Sequence, residues 1–113
     1  KMSRQQLAKL DQLSTGQTLK FNYRQNGVPR EGFLVRLKDT WVAYENRCRH
    51  IAISLDSDNG EFFTQDGKYL FCQTHGAVYE PDTGLCVHGP CKGANLFSIP
   101  LEIGESGVWI DME

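Results

Sequence analysis

Two short segments constrain this chain more than anything else in it: Cys48-Arg49-His50 and, beyond residues 51–71, Cys72-Gln73-Thr74-His75. Each segment carries a thiol and an imidazole close enough in sequence to serve one centre. Together they offer two soft sulfur and two borderline nitrogen donors, which suit zinc or an iron–sulfur cluster and not calcium or magnesium, whose ligands are oxygens. Cys86, Cys91 and His88 lack that spacing. His88 reads as an ordinary loop imidazole, Cys86 as a small buried apolar residue and Cys91 as a loop thiol. A disulfide scaffold fits poorly, because 113 residues at 40% hydrophobic can bury a core without staples. The first residues, Lys1-Met2-Ser3-Arg4-Gln5-Gln6, lack the apolar stretch of a signal peptide. The expected compartment is therefore the reducing cytoplasm, which argues against a disulfide between Cys86 and Cys91 but leaves it open across their Gly89-Pro90 bend.

The rest of the chain reads as β structure around those segments. Ser3 with Gln6 three positions on, then Leu7, Leu10 and Leu13, predicts one short opening helix ending near Ser14-Thr15-Gly16. The period then changes to two. Leu19, Phe21 and Tyr23 alternate with polar residues, Asn26-Gly27 supplies a turn, and Phe33, Val35 and Leu37 alternate again. Further strands are expected at Trp41–Tyr44, Glu61–Phe63, Lys68–Phe71, Ala77–Tyr79, Leu85–Val87, Phe97–Ile99, Leu101–Ile103 and Val108–Ile110. Many short strands at about ten-residue spacing predict an all-β, antiparallel domain of small sheets spanning 1–113. The Cys/His pairs follow the strands at Trp41 and Lys68, which places them on loops projected from a rigid sheet.

These residues resemble the Rieske family, in which a Cys-x-His loop and a Cys-x-x-His loop hold a two-iron, two-sulfide cluster. The likeness extends past the ligands. Gly76 follows the second His, Tyr79-Glu80-Pro81-Asp82-Thr83-Gly84 resembles the family's post-ligand turn, and Gly89-Pro90 resembles its third, proline-bearing loop. Trp41 to Asn46 and Ile99-Pro100-Leu101 resemble the strands entering and leaving the cluster region, so the likeness covers residues 17 to 112 and is strongest from Cys48 to Lys92. It implies one [2Fe-2S] cluster per chain on Cys48, His50, Cys72 and His75, with cluster-binding loops at about 46–92 in a Rieske-like small-sheet sandwich. The cysteines would bind the iron that stays ferric and the histidines the iron that takes the electron. A structural Cys2His2 zinc site remains the alternative for the same donors.

The resemblance also carries expectations about potential. Two ferric ions, two sulfides, two thiolates and two neutral imidazoles sum to zero charge, so reduction meets less repulsion than in an all-cysteine cluster. In the quinol-oxidising branch a disulfide ties the ligand loops, at positions that here are Ile53 and Thr74. That branch also has a Ser two residues after the second ligand His and a Tyr four residues after it, donating to the cluster; here these are Ala77 and Tyr79. With one of two hydroxyl donors missing, the expected potential lies in the lower half of the range of roughly −150 to +300 mV, below zero.

What the resemblance implies about function is narrowed by exclusion. A net charge of −2 gives no basic field for nucleic acid, and no apolar run is long enough to span a membrane. The mononuclear iron of an oxygenase needs two further histidines and a carboxylate, and only His88 is left. No glycine-rich nucleotide loop is present. The expectation is a monomeric electron carrier, not an enzyme, that accepts one electron from a flavoprotein reductase and delivers it to an oxygenase or other redox enzyme. A fixed subunit of a larger reductase or oxygenase complex and a zinc-stapled binding module are the alternatives. Arg49 reads as a solvated charge or as part of the docking surface for an acidic partner.

Overall fold

Alternating apolar residues lay down the middle of the molecule as a three-stranded sheet, and two smaller sheets cover its two faces. The computed structural model describes residues 3–112. Among these are β1 (Ser3–Ala8), β2 (Thr18–Gln25), β3 (Val28–Arg36), β4 (Trp41–Glu45), β5 (Leu70–Phe71), β6 (Val78–Tyr79), β7 (Cys86–His88), β8 (Glu102–Gly104) and β9 (Gly107–Met112). All pairings are antiparallel, in sheets ordered β1-β9-β8, β2-β3-β4 and β5-β6-β7. The β2–β3 hairpin closes on Asn26 and Gly27 at φ 53° and 78°, the left-handed pair that matches the twist of the flanking strands.

Strand β3 shows why the layers stack this way. Phe33, Leu34 and Val35 are all fully buried, so both faces of the strand are covered. Leu34 and its cross-strand partner Ala43 join Leu7, Trp41, Val108 and Ile110 on the side of the terminal sheet. Phe33 and Val35 face the other way, toward Leu55, Phe62, Leu70, Cys72 and Tyr79. Phe33 stacks on Phe62 with ring centroids 4.0 Å apart, which ties the central sheet to the small β5-β6-β7 sheet.

The opening helix is not formed. Residues Ser3–Ala8 are a strand paired to β9, from Ser3 opposite Met112 to Ala8 opposite Val108. The leucines at helical spacing do not share a face: Leu7 is buried in the strand, whereas Leu10 is exposed in the turn that follows. Gln6, in place of a capping role, donates from its side chain to the Ser106 carbonyl at 2.7 Å and fastens the β8–β9 turn. Pairing with β9 satisfies the backbone of the whole segment, which outweighs a weak helical preference.

Two expected strands shrink to single bridges. Phe63 pairs only with Leu70, and Ser98 only with Tyr44. Neither segment finds a long partner strand, although Phe71 N–H bonds to Phe62 O and Ile99 N–H to Ala43 O. The other strands fall where alternation places them, within one or two residues. Among the described residues no helix is long and apolar enough to cross a membrane.

Candidate metal centre

The first loop leaves β4 at Glu45 and is held from below by a buried carboxylate. Asp56, fully buried, accepts from Asn46 Nδ2 at 3.1 Å, Gly60 N at 3.0 Å, Asp58 N at 3.2 Å and Lys20 Nζ at 3.0 Å. Burial acts to raise its pKa, but these donors outweigh it and hold the carboxyl below its ordinary value. Asn46 in turn accepts from Leu55 N–H at 2.8 Å, so both ends of the segment that carries Cys48 and His50 are pinned. Within it, Cys48 N–H bonds to Ile53 O at 2.8 Å and turns His50 outward. The oxygens of Glu31, Asp56 and Asp58 also come within 4.8 Å of one another, but the Lys20 ammonium lies among them.

The second loop is the turn between β5 and β6. Cys72 N–H bonds to Ala77 O and Gly76 N–H to Cys72 O, each at 2.8 Å, which winds Thr74 and His75 to the surface. Gln73 joins the two loops: its N–H donates to Leu55 O at 2.9 Å, and its side chain exchanges amide bonds with Asn59. No disulfide can form at Ile53 and Thr74, and the bonds of Gln73 to Leu55 and Asn59 tie the loops instead.

The four expected donors form two neighbouring pairs, Cys48 with Cys72 and His50 with His75. The sulfurs are inside, with Cys48 2% exposed and Cys72 fully buried, and the histidines are at the surface. The rings of His50 and His75 meet edge to face with centroids 4.8 Å apart. Backbone N–H groups of His50 and Ile51 point at the Cys48 sulfur, and those of Thr74 and His75 at the Cys72 sulfur. Burial alone would raise the Cys48 thiol, but the Tyr79 hydroxyl and these amides bring it below its ordinary value; at Cys72 burial prevails and the thiol is raised. Pockets lined with N–H donors are built for sulfur in its anionic, metal-binding form. The donor set, two sheltered sulfurs and two outward imidazoles, fits a two-iron cluster with unlike ends.

A third loop, carrying Cys91, meets the first at Tyr79 of β6. The Tyr79 hydroxyl lies 3.4 Å from Cys48 Sγ and 3.2 Å from Cys91 Sγ, and it accepts from Arg49 N–H at 3.1 Å. Burial, then the neighbouring thiols, push the Tyr79 hydroxyl pKa upward, so it keeps its proton. Cys86 and Cys91 are free thiols 3.2 Å apart, and Cys86 donates to the His88 carbonyl. His88 itself is exposed in β7, opposite Val78. Arg49 is exposed, bonds to Asn95 O at 2.6 Å and lies over Phe97, whose ring also carries Arg47 at 4.3 Å. The supports Asn46 and Asp56 were not singled out by sequence, since their role depends on partners distant along the chain.

Comparison with known proteins agrees with this geometry. Residues 3–101 match the profile of the Rieske [2Fe-2S] domain. No curated protein sequence matches. A chain in the complex of reduced oxygenase and oxidized ferredoxin in carbazole 1,9a-dioxygenase superposes with a TM-score of 0.72 at 24% identity, over 97% of this chain and 94% of that one. The ferredoxin of carbazole 1,9a-dioxygenase from Nocardioides aromaticivorans IC177 gives 0.69 at 20% identity, over 98% and 99%. The terminal oxygenase of carbazole 1,9a-dioxygenase from Novosphingobium sp. KA1 gives 0.72 at 18% identity, over 95% of this chain but 29% of that one. Such identities establish the fold, and the family is carried by the profile match over nearly the whole sequence. With residues 3–101 matching its profile and the three-sheet fold in place, the chain belongs to the Rieske [2Fe-2S] family, and a [2Fe-2S] cluster is its cofactor.

Proposed function

We propose that this protein is a Rieske ferredoxin, a one-electron carrier that takes electrons from a flavoprotein reductase and gives them to an oxygenase, and that it does not itself turn over a substrate. One observation carries the reading: the imidazoles of His50 and His75 stand exposed side by side while both sulfurs are sealed behind them. Cys48 and Cys72 would hold one iron and His50 and His75 the other, within a cluster-binding region of about 46–92 in a single domain. When bound, the cluster supplies a centre that accepts and returns one electron. The chain's own residues do the rest. The buried cysteines and the Leu55–Gln73 bond exclude water and fix the loops, and the two outward rings offer a partner the shortest approach to the centre. Tyr79 of β6 donates to Cys48 and contacts Cys91 of the third loop. An oxygenase acceptor is supported by the likeness to a chain from an oxygenase–ferredoxin complex. The protein is expected to act as a monomer in the cytoplasm.

Iron and acid-labile sulfide analysis of the purified protein tests this directly. Two of each per chain are expected, lost in Cys48→Ser and Cys72→Ser and kept in Cys86→Ser and Cys91→Ser. Retention of iron in His50→Ala together with its loss in either of the last two variants would show the ligand assignment to be wrong. Rapid electron exchange between the isolated monomer and an NADH-linked flavoprotein reductase tests the carrier role, and a stable complex that exchanges no electrons in dilute solution would refute it.

A further inference from the structure

We propose that Cys86 and Cys91 form a second redox centre, a reversible dithiol–disulfide site whose closure the Tyr79 hydroxyl passes to Cys48. The two sulfurs are already 3.2 Å apart, and a disulfide at about 2.05 Å needs an approach of about 1 Å. The backbone divides the pair into a fixed and a movable half. Cys86 lies in β7 and is bonded on both sides, its N–H to Ala94 O at 2.7 Å and its carbonyl to Gly93 N–H at 2.9 Å. Cys91 sits beyond the Gly89-Pro90 bend and is half-buried, so it is the member an external reagent can reach. Cys86 is buried, and burial raises its thiol to about 11, so the accessible Cys91 is the attacking group.

The oxidant is a small-molecule disulfide such as oxidised glutathione. The Cys91 thiolate attacks one of its sulfurs, forming a mixed disulfide and expelling one glutathione thiolate. The Cys86 thiolate then attacks Cys91 sulfur, forming the Cys86–Cys91 bond and expelling the second. Two protein thiols give up two protons and two electrons, and the glutathione disulfide takes both electrons and becomes two thiols.

The link to the metal centre rests on the proposal that Cys48 is a ligand. Tyr79 has one proton to donate, and an anionic Cys48 sulfur at 3.4 Å claims it. The Cys91 S–H donates to Cys86 Sγ at 3.2 Å, and with the Tyr79 proton held by Cys48 it can turn to the Tyr79 oxygen, also at 3.2 Å, and polarise its O–H toward Cys48. Disulfide closure removes that proton. Tyr79 donates less strongly, the reduced and more negative centre loses stabilisation, and the potential falls.

The test uses the iron-loaded protein, incubated without oxygen in oxidised glutathione, quenched in acid and alkylated. Peptide mass mapping is expected to show Cys86 and Cys91 joined and two of the four cysteines unalkylated, with reversal by dithiothreitol. Cys86→Ser should stop at the mixed disulfide on Cys91, and Cys91→Ser should not react. Four alkylated cysteines in the treated wild type, or glutathione retained on its Cys91, would overturn the site. Voltammetry of treated and untreated protein with unchanged iron reads the coupling: a downward shift is expected in the wild type and none in Tyr79→Phe. An unchanged wild-type potential with the disulfide formed would overturn the coupling. Iron retained in Cys48→Ser would instead refute the ligand assignment, an outcome separate from both.

Discussion

The hydroxyl of Tyr79 stands 3.4 Å from the sulfur of Cys48, across 31 positions of sequence, and 3.2 Å from the sulfur of Cys91, so it bridges the first loop and the third. Tyr79 is fully buried and is fixed in β6 opposite Leu70 and Cys86, so its hydroxyl has little freedom to turn elsewhere. A packing residue of this size needs no hydroxyl. One that places its hydroxyl between two sulfurs and a backbone N–H is positioned to tune the charge of a centre held by Cys48.

Tyr79→Phe is therefore expected to lower the reduction potential. If the bond to Cys48 is about 1 kcal/mol stronger in the reduced state, the shift is roughly 40 mV for a one-electron couple. Ala77, fully buried and lacking a hydroxyl, is the opposite case, and Ala77→Ser is expected to raise the potential. Protein-film voltammetry on the three proteins reads both signs. A wild-type value near the top of the Rieske range would contradict a low-potential carrier.

Asp56 predicts a stability dependence with a definite sign. Its folded pKa is depressed, so its contribution is complete above the ordinary value of 3.8 and disappears as pH falls through the lower, folded value. Lys20 works in the reverse direction: hydrogen bonding to Asp56 raises it, so its contribution is complete below 10.5 and is lost as pH rises through the raised value. Asp56→Ala leaves buried donors and an ammonium without their acceptor and should cost about 3 kcal/mol, reduced somewhat because Lys20 retains access to water. Asp58→Asn, whose side chain is 85% exposed and 4.0 Å from the same ammonium, should change stability by less than about 0.5 kcal/mol. Urea unfolding of the iron-loaded proteins at neutral pH compares them, and equal losses would remove the clamp assigned to Asp56.

What could be read from the sequence divides along physical lines. Strands β2 to β4 were legible because a sheet with buried faces imposes a period of two, and Cys48, His50, Cys72 and His75 could be proposed as donors because metal chemistry demands particular atoms at short spacings. The strand at Ser3–Ala8 was not legible. Leu7, Leu10 and Leu13 imitate a helical stripe, and the partner that overrides it, β9, lies some hundred residues away. Asn46 and Asp56 were silent for a related reason. Ordinary polar residues become a clamp only when Lys20, Glu31 and Leu55 have been brought to them. Tyr79 stood between these cases, since resemblance suggested its donor role and only the fold could place the hydroxyl at the sulfur.

Gly89 supports the third loop by close approach to the second. It lies at φ 106°, and a methyl group there would fall 2.9 Å from the Ala77 Cα, which is backbone and cannot swing aside. Gly93, four residues on, has a similar φ of 95° but nothing within 4 Å of the same position. Gly93→Ala thus measures the backbone strain alone, about 1 kcal/mol, while Gly89→Ala adds a collision and should cost about 2 kcal/mol or more. The collision also pushes the 89–91 segment off the ligand loop, moving Cys91 from Tyr79. The iron-loaded Gly89→Ala protein should therefore unfold at lower urea than Gly93→Ala and lose iron faster to a chelator. Equal midpoints and equal rates of iron loss would mean that the third loop covers the centre without supporting it.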